Sequence, residues 1–153
     1  MEPATFRFSR RRLNPEALRR LLARPGAGGF VSFEGCVRDH NEGRAVRRLE
    51  YEAYEELAER EGGRVVAAAV RRFGVAAAVC VHRLGTLAPG EIAVWAGVAG
   101  AHRSEAFAAC RYIIDRVKAR VPIWKKEHYR KGSARWLEPA HAGRRRRASS
   151  KKT

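Results

Sequence analysis

The order of helical and extended segments constrains this chain more than any other feature of its sequence. Three stretches carry apolar residues at helical spacing, and each is followed by two stretches rich in β-branched and aromatic residues, in the order αββαββαββ. Strands that follow each other after a short connection pair antiparallel. The order therefore predicts an α+β sandwich with mostly antiparallel strands rather than a parallel doubly wound sheet.

Capping residues mark the ends of the predicted elements. The first helix begins at Asn14-Pro15-Glu16 and ends before Pro25-Gly26, because Asn caps free amides and Pro fits the first turn. The second helix is predicted over Glu55–Phe73, although Gly62-Gly63 weakens its middle, and the third runs from Ser104-Glu105 to Val121-Pro122. The predicted strands are Phe30–Val37, Val46–Ala53, Ala76–Leu84, Glu91–Ala99, Ile123–Tyr129 and Arg135–Leu137.

Length and hydropathy predict a single domain in the cytoplasm. Residues 1–139 suffice for one buried core, and residues 140–153 form a basic tail that we expect to be disordered. No apolar run approaches the roughly 18 residues that cross a bilayer. The basic N-terminus is not followed by an apolar stretch, so we expect no secretory signal and no membrane partner.

Cysteine spacing argues against a cysteine metal knuckle and against a disulfide framework. Cys36, Cys80 and Cys110 lie too far apart for a metal knuckle, and their odd number does not suit a disulfide framework. Cys80 and Cys110 fall in apolar stretches and are predicted to be buried thiols. Cys36 lies two residues before Arg38, which leaves a persulfide-carrying role open. Nucleotide-binding, nucleophile-elbow and zinc-binding signatures are absent.

Charge indicates an anionic ligand. The formal net charge is +16, and part of it lies in the tail residues Arg144 to Arg147, Lys151 and Lys152. A basic tail can bind polyanions without specificity, so it does not define a function. The excess that remains outside the tail still favours an anion.

Two groups of basic residues stand at predicted element ends. His102 and Arg103 precede the third helix, where free backbone amides and the positive end of the dipole favour phosphate. A solvated linker with Ser104 as an ordinary cap is the alternative. Arg38 leaves a strand for a polar loop and could clamp a carboxylate or phosphate, unless it is a surface arginine paired with Asp39.

Two lysines form a third candidate group. Lys118 ends the third helix, Pro122 breaks it, and Lys125 lies on the following segment, so the two side chains could converge on one pocket. A lysine in a partly apolar, cation-rich pocket has its charged form disfavoured and becomes a better base or nucleophile. The alternative is that both lysines only complement the helix dipole.

Four stretches, in the order GFVSFEGCVRDHNEG, HRLGTLAPGE, AHRSEAF and VKARVPIWKKE, together resemble the catalytic subunits of molybdopterin synthases. The resemblance covers residues 29–138. It implies an α/β-hammerhead type of fold and a homodimer within a heterotetramer. It also implies that a small ubiquitin-like sulfur-carrier subunit docks at each end and inserts its C-terminal Gly-Gly thiocarboxylate into the active site.

The resemblance further implies a reaction, which is the transfer of sulfur from that thiocarboxylate to cyclic pyranopterin monophosphate, twice, to form the dithiolene of molybdopterin. No metal or organic cofactor is implied. Lys118 and Lys125 match the catalytic lysines of the family, while Arg38, His102 and Arg103 match its substrate-binding residues. We expect Lys125 to orient or activate the thiocarboxylate and Lys118 to handle protons, with the two roles open to exchange.

Two other functions compete with this interpretation. A basic RNA-binding module is suggested by the charge and by Trp124, Tyr129 and Trp136 among basic residues, although no RNA-binding signature is present. A stand-alone sulfurtransferase would use Cys36 as its sulfur carrier.

Overall fold

The structure, a computed structural model, describes residues 2–137. The predicted boundary at residue 139 and the predicted tail of residues 140–153 lie outside this range. The elements are β1 (Ala4–Ser9), α1 (Pro15–Leu21), β2 (Gly29–Cys36), β3 (His40–Asn41), β4 (Arg44–Ala53), α2 (Glu55–Phe73), β5 (Ala77–Arg83), β6 (Gly85–Leu87), β7 (Ile92–Gly100), α3 (Arg103–Arg120), β8 (Ile123–Tyr129) and β9 (Arg135–Leu137).

A four-stranded sheet in the order β1-β5-β7-β2 forms the centre of the fold. β5 pairs antiparallel with β7, and β7 pairs antiparallel with β2, while β1 lies parallel to β5. One face is covered by α2 and α3, whose apolar residues form a common core with Phe6, Cys80 and Val98. The other face is covered by α1, whose Leu18 packs against the sheet together with Leu22, the residue that caps the helix. The central strands β5 and β7 are thus largely buried on both faces, whereas the edge strand β2 is mostly exposed or half-buried.

A second sheet, in the order β3-β4-β8-β9 with β6 also paired to β4, carries the candidate site. All of its pairings are antiparallel. In the β4–β8 pairing, Tyr51 lies opposite Lys125 and Leu49 opposite Glu127. A small apolar cluster that includes Leu49, Leu87 and Tyr129 lies beneath this sheet.

The predicted α+β class and the antiparallel pairing are confirmed, and the three predicted helices and six predicted strands are present within residues 2–137. Three further strands, β1, β3 and β6, were not predicted. β1 pairs with β5, which lies far away in the sequence, so no neighbouring segment indicates its partner. β3 and β6 are only two and three residues long, which is too short for a periodic pattern to show. No helix in this range is long and apolar enough to cross a membrane.

The glycine pair within α2 gives a stability prediction. A β-carbon at Gly62 would overlap the ring of Phe6, whereas a β-carbon at Gly63 would have no atom within 4 Å. We therefore expect Gly62→Ala to lower the free energy of unfolding by about 1–3 kcal/mol through overpacking. Gly63→Ala, the matched control, should raise it by roughly 0.5–1 kcal/mol through helix propensity. Urea denaturation measures both, and equal effects of the two changes would contradict the packing.

Candidate active site

The alternation of β8 places its polar residues on two different faces. Lys125, Glu127 and Tyr129 share one face because residues two apart on a strand point the same way. Glu127 and Tyr129 are buried on this face, at 3% and 7% exposure. Lys126 points to the other face, where its amine lies 5.4 Å from the ring centroid of Trp136. Only one of the two adjacent lysines therefore belongs to the site.

Lys118 and Lys125 approach each other because the chain turns sharply between α3 and β8. Val121 has extended backbone angles and Pro122 follows it, so α3 ends at Arg120 and β8 begins at Ile123. Lys118 lies exposed in the last turn of the helix. The predicted convergence of the two lysines thus agrees with the chain path.

The pKa of Lys125 reports the surroundings of its amine. Burial lowers this pKa from its ordinary value, and the positive charges of Lys118 and Arg38 lower it further. The negative charge of Glu127 acts in the opposite direction and raises the pKa. Lys118 and Arg38 therefore both lie within electrostatic reach of Lys125, and Lys125 releases its proton more readily than a surface lysine.

Glu127 is a component of the site that the sequence analysis did not identify. Both of its carboxylate oxygens accept a hydrogen bond from Nδ2 of Asn41 at 3.0 Å, and the Tyr129 hydroxyl donates a third. Burial raises the pKa of Tyr51 to about 12, with the charge of Glu127 as a second cause. The sequence held one signal, which is that Glu127 lies two residues after Lys125 on the same predicted strand.

Arg38 joins the lysines from the loop that follows β2. Its Nη2 donates to Oδ1 of Asn41 at 3.4 Å. The alternative pairing of Arg38 with Asp39 is not present, because the Asp39 carboxylate lies 2.7 Å from Nδ1 of His40. This contact with His40 lowers the pKa of Asp39. The Arg38 side chain is exposed, so part of its guanidinium remains accessible to an anion.

His102 and Arg103 lie at the opposite end of α3 from Lys118. The helix starts at Arg103, and His102 is the N-cap residue with no side-chain capping bond, so Ser104 is not the cap. Lys118 lies fifteen positions after Arg103, which corresponds to roughly 22 Å along an α-helix. Within one copy of the chain, the structure therefore does not bring His102 and Arg103 to the two lysines.

The three cysteines fall into two classes. Cys80 and Cys110 are buried as predicted, and burial raises the pKa of the Cys110 thiol to about 11. Cys36 is an exposed free thiol at the end of β2. Among residues 2–137, no group of three or more His, Cys, Asp and Glu side chains could hold a metal ion.

Taken together, one copy of the chain assembles three cationic side chains beside a buried, hydrogen-bonded carboxylate. Preorganised charges of this kind stabilise anionic ligands and the negative charge that develops in a transition state. The lowered pKa also makes the Lys125 amine easier to deprotonate than an ordinary lysine amine. The site is suited to polar chemistry on an anionic substrate.

The chain is similar to known proteins over most of its length. The family model described as MoaE protein matches residues 8–120. The chain is 43% identical over 124 residues to the molybdopterin synthase catalytic subunit of Thermoplasma volcanium, which covers 81% of this chain and 90% of the relative. A solved molybdopterin synthase from Staphylococcus aureus superposes with a TM-score of 0.80 at 31% identity, covering 90% of this chain and 98% of that one.

A second solved structure shares the fold at lower sequence similarity. It is the complex of subunits 1 and 2 of the molybdopterin-converting factor from Helicobacter pylori, with a TM-score of 0.71 and 20% identity. The match covers 88% of this chain and 90% of that chain.

Proposed function

The chain belongs to the MoaE family of molybdopterin synthase catalytic subunits, and from this premise we propose that it transfers sulfur from a carrier thiocarboxylate to cyclic pyranopterin monophosphate. The observation that carries the proposal is the cluster of Lys118, Lys125 and Arg38 beside Glu127. Both reactants are anions, and this cluster is a cationic surface that can hold them together.

Each sulfur transfer forms one carbon–sulfur bond on the pterin in place of a carbon–oxygen bond. Water then attacks the acyl carbon of the carrier, breaks its carbon–sulfur bond and supplies the oxygen with which the carrier terminus returns as a carboxylate. Lys125 is the residue that we assign to the thiocarboxylate, because its partly buried amine can donate a hydrogen bond to sulfur or oxygen. Lys118 lies more exposed and can exchange protons with water. Arg38 offers a planar fork that suits a phosphate.

The sulfur donor in this proposal is a separate small subunit with a C-terminal Gly-Gly thiocarboxylate. The Helicobacter pylori structure supports this, since it was solved as a complex of two different subunits. We place the reaction in the cytoplasm, where reducing conditions keep free thiols such as Cys36 reduced.

We infer that His102 and Arg103 act in the site of a second copy of the chain. β2 is an edge strand of the central sheet, and its start lies against the start of α3, since a β-carbon on Gly29 would be 3.4 Å from the Arg103 nitrogen. β2 and α3 therefore both run from the His102 end of the molecule towards the lysine end. Phe33 on β2 and Phe107 on α3 are 44% and 62% exposed.

A two-fold interface over this apolar side would place the His102–Arg103 end of one copy beside the lysines of the other. Such an interface repeats every contact, so it builds two equivalent sites. We propose that each site takes Arg38, Lys118 and Lys125 from one copy and His102 and Arg103 from its partner.

Mixing two inactive variants tests the shared site. If each site were built within one copy, every site of a mixed dimer would lack either Lys125 or Arg103, and none would be active. If the site is shared, one site of the mixed dimer loses both residues and the other keeps both. We expect subunit exchange between the variants to restore about a quarter of wild-type activity at equal mixing. Mixing Lys125→Ala with Lys118→Ala is the control and should restore none. Recovery absent from the first mixture, with exchange demonstrated by mass spectrometry, would contradict the shared site.

The function itself is tested by incubating the purified chain with a thiocarboxylated small subunit and cyclic pyranopterin monophosphate. We expect molybdopterin, detected after oxidation to its fluorescent derivative, and none when the carrier ends in an ordinary carboxylate. No product from a carrier that binds would overturn the proposal. Binding of the chain to RNA that weakens steeply with salt would then favour the RNA-binding alternative.

A further inference from the structure

We propose that Asn41 is a positioning residue of the sulfur-transfer site, which fixes the guanidinium of Arg38 by anchoring it to the buried carboxylate of Glu127. The inference rests on the proposed function, because the substrate whose binding Asn41 is proposed to support is the one named there. In this role Asn41 acts through Arg38 rather than on the substrate directly. It is supported by the hydrogen-bonding groups of the three side chains, by the fixed position of Asn41 and Glu127, and by the exposure of Arg38.

The chemistry of the three side chains leaves Asn41 only one orientation. A carboxylate can only accept hydrogen bonds and a guanidinium can only donate them. The carboxamide must therefore turn its nitrogen to Glu127, where both oxygens lie 3.0 Å away, and its oxygen to Arg38, where Nη2 lies 3.4 Å away. Alanine can make neither contact, and aspartate can make only the second.

The anchor itself is rigid. Asn41 is paired with Arg44 across a two-residue turn, in which Glu42 and Gly43 have positive φ angles of 50° and 75°. Glu127 is 3% exposed and also accepts from the Tyr129 hydroxyl. The guanidinium of Arg44 lies 3.5 Å from the Tyr129 ring centroid and donates to the Lys131 carbonyl at 2.9 Å.

Arg38, in contrast, is exposed and lies outside the strands, and within residues 2–137 its only side-chain hydrogen bond is the one to Asn41. A free arginine loses considerable rotamer entropy when it binds an anion. Holding the guanidinium before the substrate arrives removes part of that loss. Loss of the hydrogen bond between Arg38 and Asn41 is therefore expected to weaken substrate binding rather than to slow the chemical step.

A double-mutant cycle tests whether Asn41 acts through Arg38. We expect Asn41→Ala to raise KM for cyclic pyranopterin monophosphate roughly tenfold, the factor for one hydrogen bond to a charged group, with a much smaller change in kcat. Because both changes remove the same function, Arg38→Ala combined with Asn41→Ala should be no worse than Arg38→Ala alone. Asn14→Ala is the matched control, since it removes a capping bond in α1 far from the site and should leave KM unchanged.

The isosteric change Asn41→Asp gives a second readout, which a purely structural role would not move. It keeps an acceptor for Arg38 but sets a carboxylate against Glu127, so the two groups share a proton at moderately acidic pH. Activity relative to wild type should therefore recover as the pH falls. The charged or titratable groups that face this pair are Arg38, Arg44, Tyr51, Lys125, Tyr129 and Arg135.

The possible outcomes are distinct. Independent, multiplying losses from Asn41→Ala and Arg38→Ala in an active enzyme would overturn the inference alone. So would an Asn41→Asp variant whose activity relative to wild type does not change with pH. A wild-type chain that makes no product with a bound, thiocarboxylated carrier would overturn the proposed function and this inference with it. Non-additive losses together with acid recovery of the aspartate variant would establish the positioning role.

Discussion

Replacing Lys125 with alanine is expected to lower the rate of molybdopterin formation by about 100- to 1,000-fold, the loss that follows removal of a preorganised charged or hydrogen-bonding group from a transition state. The reason is the placement of the Lys125 amine, which is partly buried, adjacent to Glu127 and within reach of the charges of Lys118 and Arg38. The measurement is single-turnover conversion of the cyclic precursor with saturating thiocarboxylated carrier.

Lys126→Ala is the matched control for this experiment. Lys126 is the neighbouring residue on β8, but its amine lies against the Trp136 ring on the other face of the strand. We expect its removal to leave the single-turnover rate within about twofold of wild type, as for a surface substitution. Equal losses from Lys125→Ala and Lys126→Ala would show that charge near the site, rather than one positioned amine, drives the reaction.

Cys36→Ala tests the hypothesis of a stand-alone sulfurtransferase that uses Cys36 as its sulfur carrier. A sulfurtransferase that carries its sulfur on Cys36 would lose all activity, whereas transfer from a carrier thiocarboxylate requires no thiol of this chain. The exposed position of Cys36 makes the substitution structurally mild. We expect an active Cys36→Ala protein.

Acid is expected to lower the free energy of unfolding through the buried side chain of His82. His82 is buried on β5, its Nδ1 lies 2.7 Å from the Arg83 carbonyl oxygen, and its ring meets that of Tyr51 edge-on at 4.9 Å. Burial lowers the pKa of His82 to about 4, and the hydrogen bond to Arg83 only partly opposes this. The unfolded chain binds this proton at a pKa of about 6.5, so between these two values the unfolded state takes up more protons than the native state.

It follows that the contribution of neutral His82 to stability is fully present above pH 6.5 and is lost as the pH falls towards 4. The expected loss is about 3 kcal/mol in the free energy of unfolding. Urea denaturation at a series of pH values measures it. His82→Leu cannot take up a proton, so its stability should fall much less over the same range. Parallel pH profiles for wild type and His82→Leu would place the acid sensitivity elsewhere.

The fold could be predicted from sequence where the signals are local. Asn14 and Pro15 begin α1 as their capping chemistry requires, and the proline at position 122 separates α3 from β8. β1 escaped prediction because its pairing with β5 joins residues more than seventy positions apart. Local propensity alone does not identify such a partner.

In the candidate site too, contacts between residues close in sequence could be predicted, whereas contacts between distant residues could not. The convergence of Lys118 and Lys125 follows from one turn, so the sequence indicated it. The contact between Asn41 and Glu127 joins residues 86 positions apart and depends on how β3, β4 and β8 are arranged in one sheet. No spacing rule anticipates that arrangement. His102 and Arg103 were recognised as anion-binding residues, but only the length of α3 shows that they stand apart from the lysines of their own copy.

The helix α3 also determines which changes of chain length the enzyme can tolerate. It carries anion-binding residues at its start and Lys118 in its last turn, while its middle is fixed by the buried residues Ala109 and Ile113. Inserting one residue would rotate everything beyond it by roughly 100°. One end of the helix would then be out of register, and in a shared-site dimer both reaction centres would be damaged by a single insertion. The turn at Glu42-Gly43 is exposed, but it fixes Asn41, so length variation there should alter substrate affinity before it alters folding.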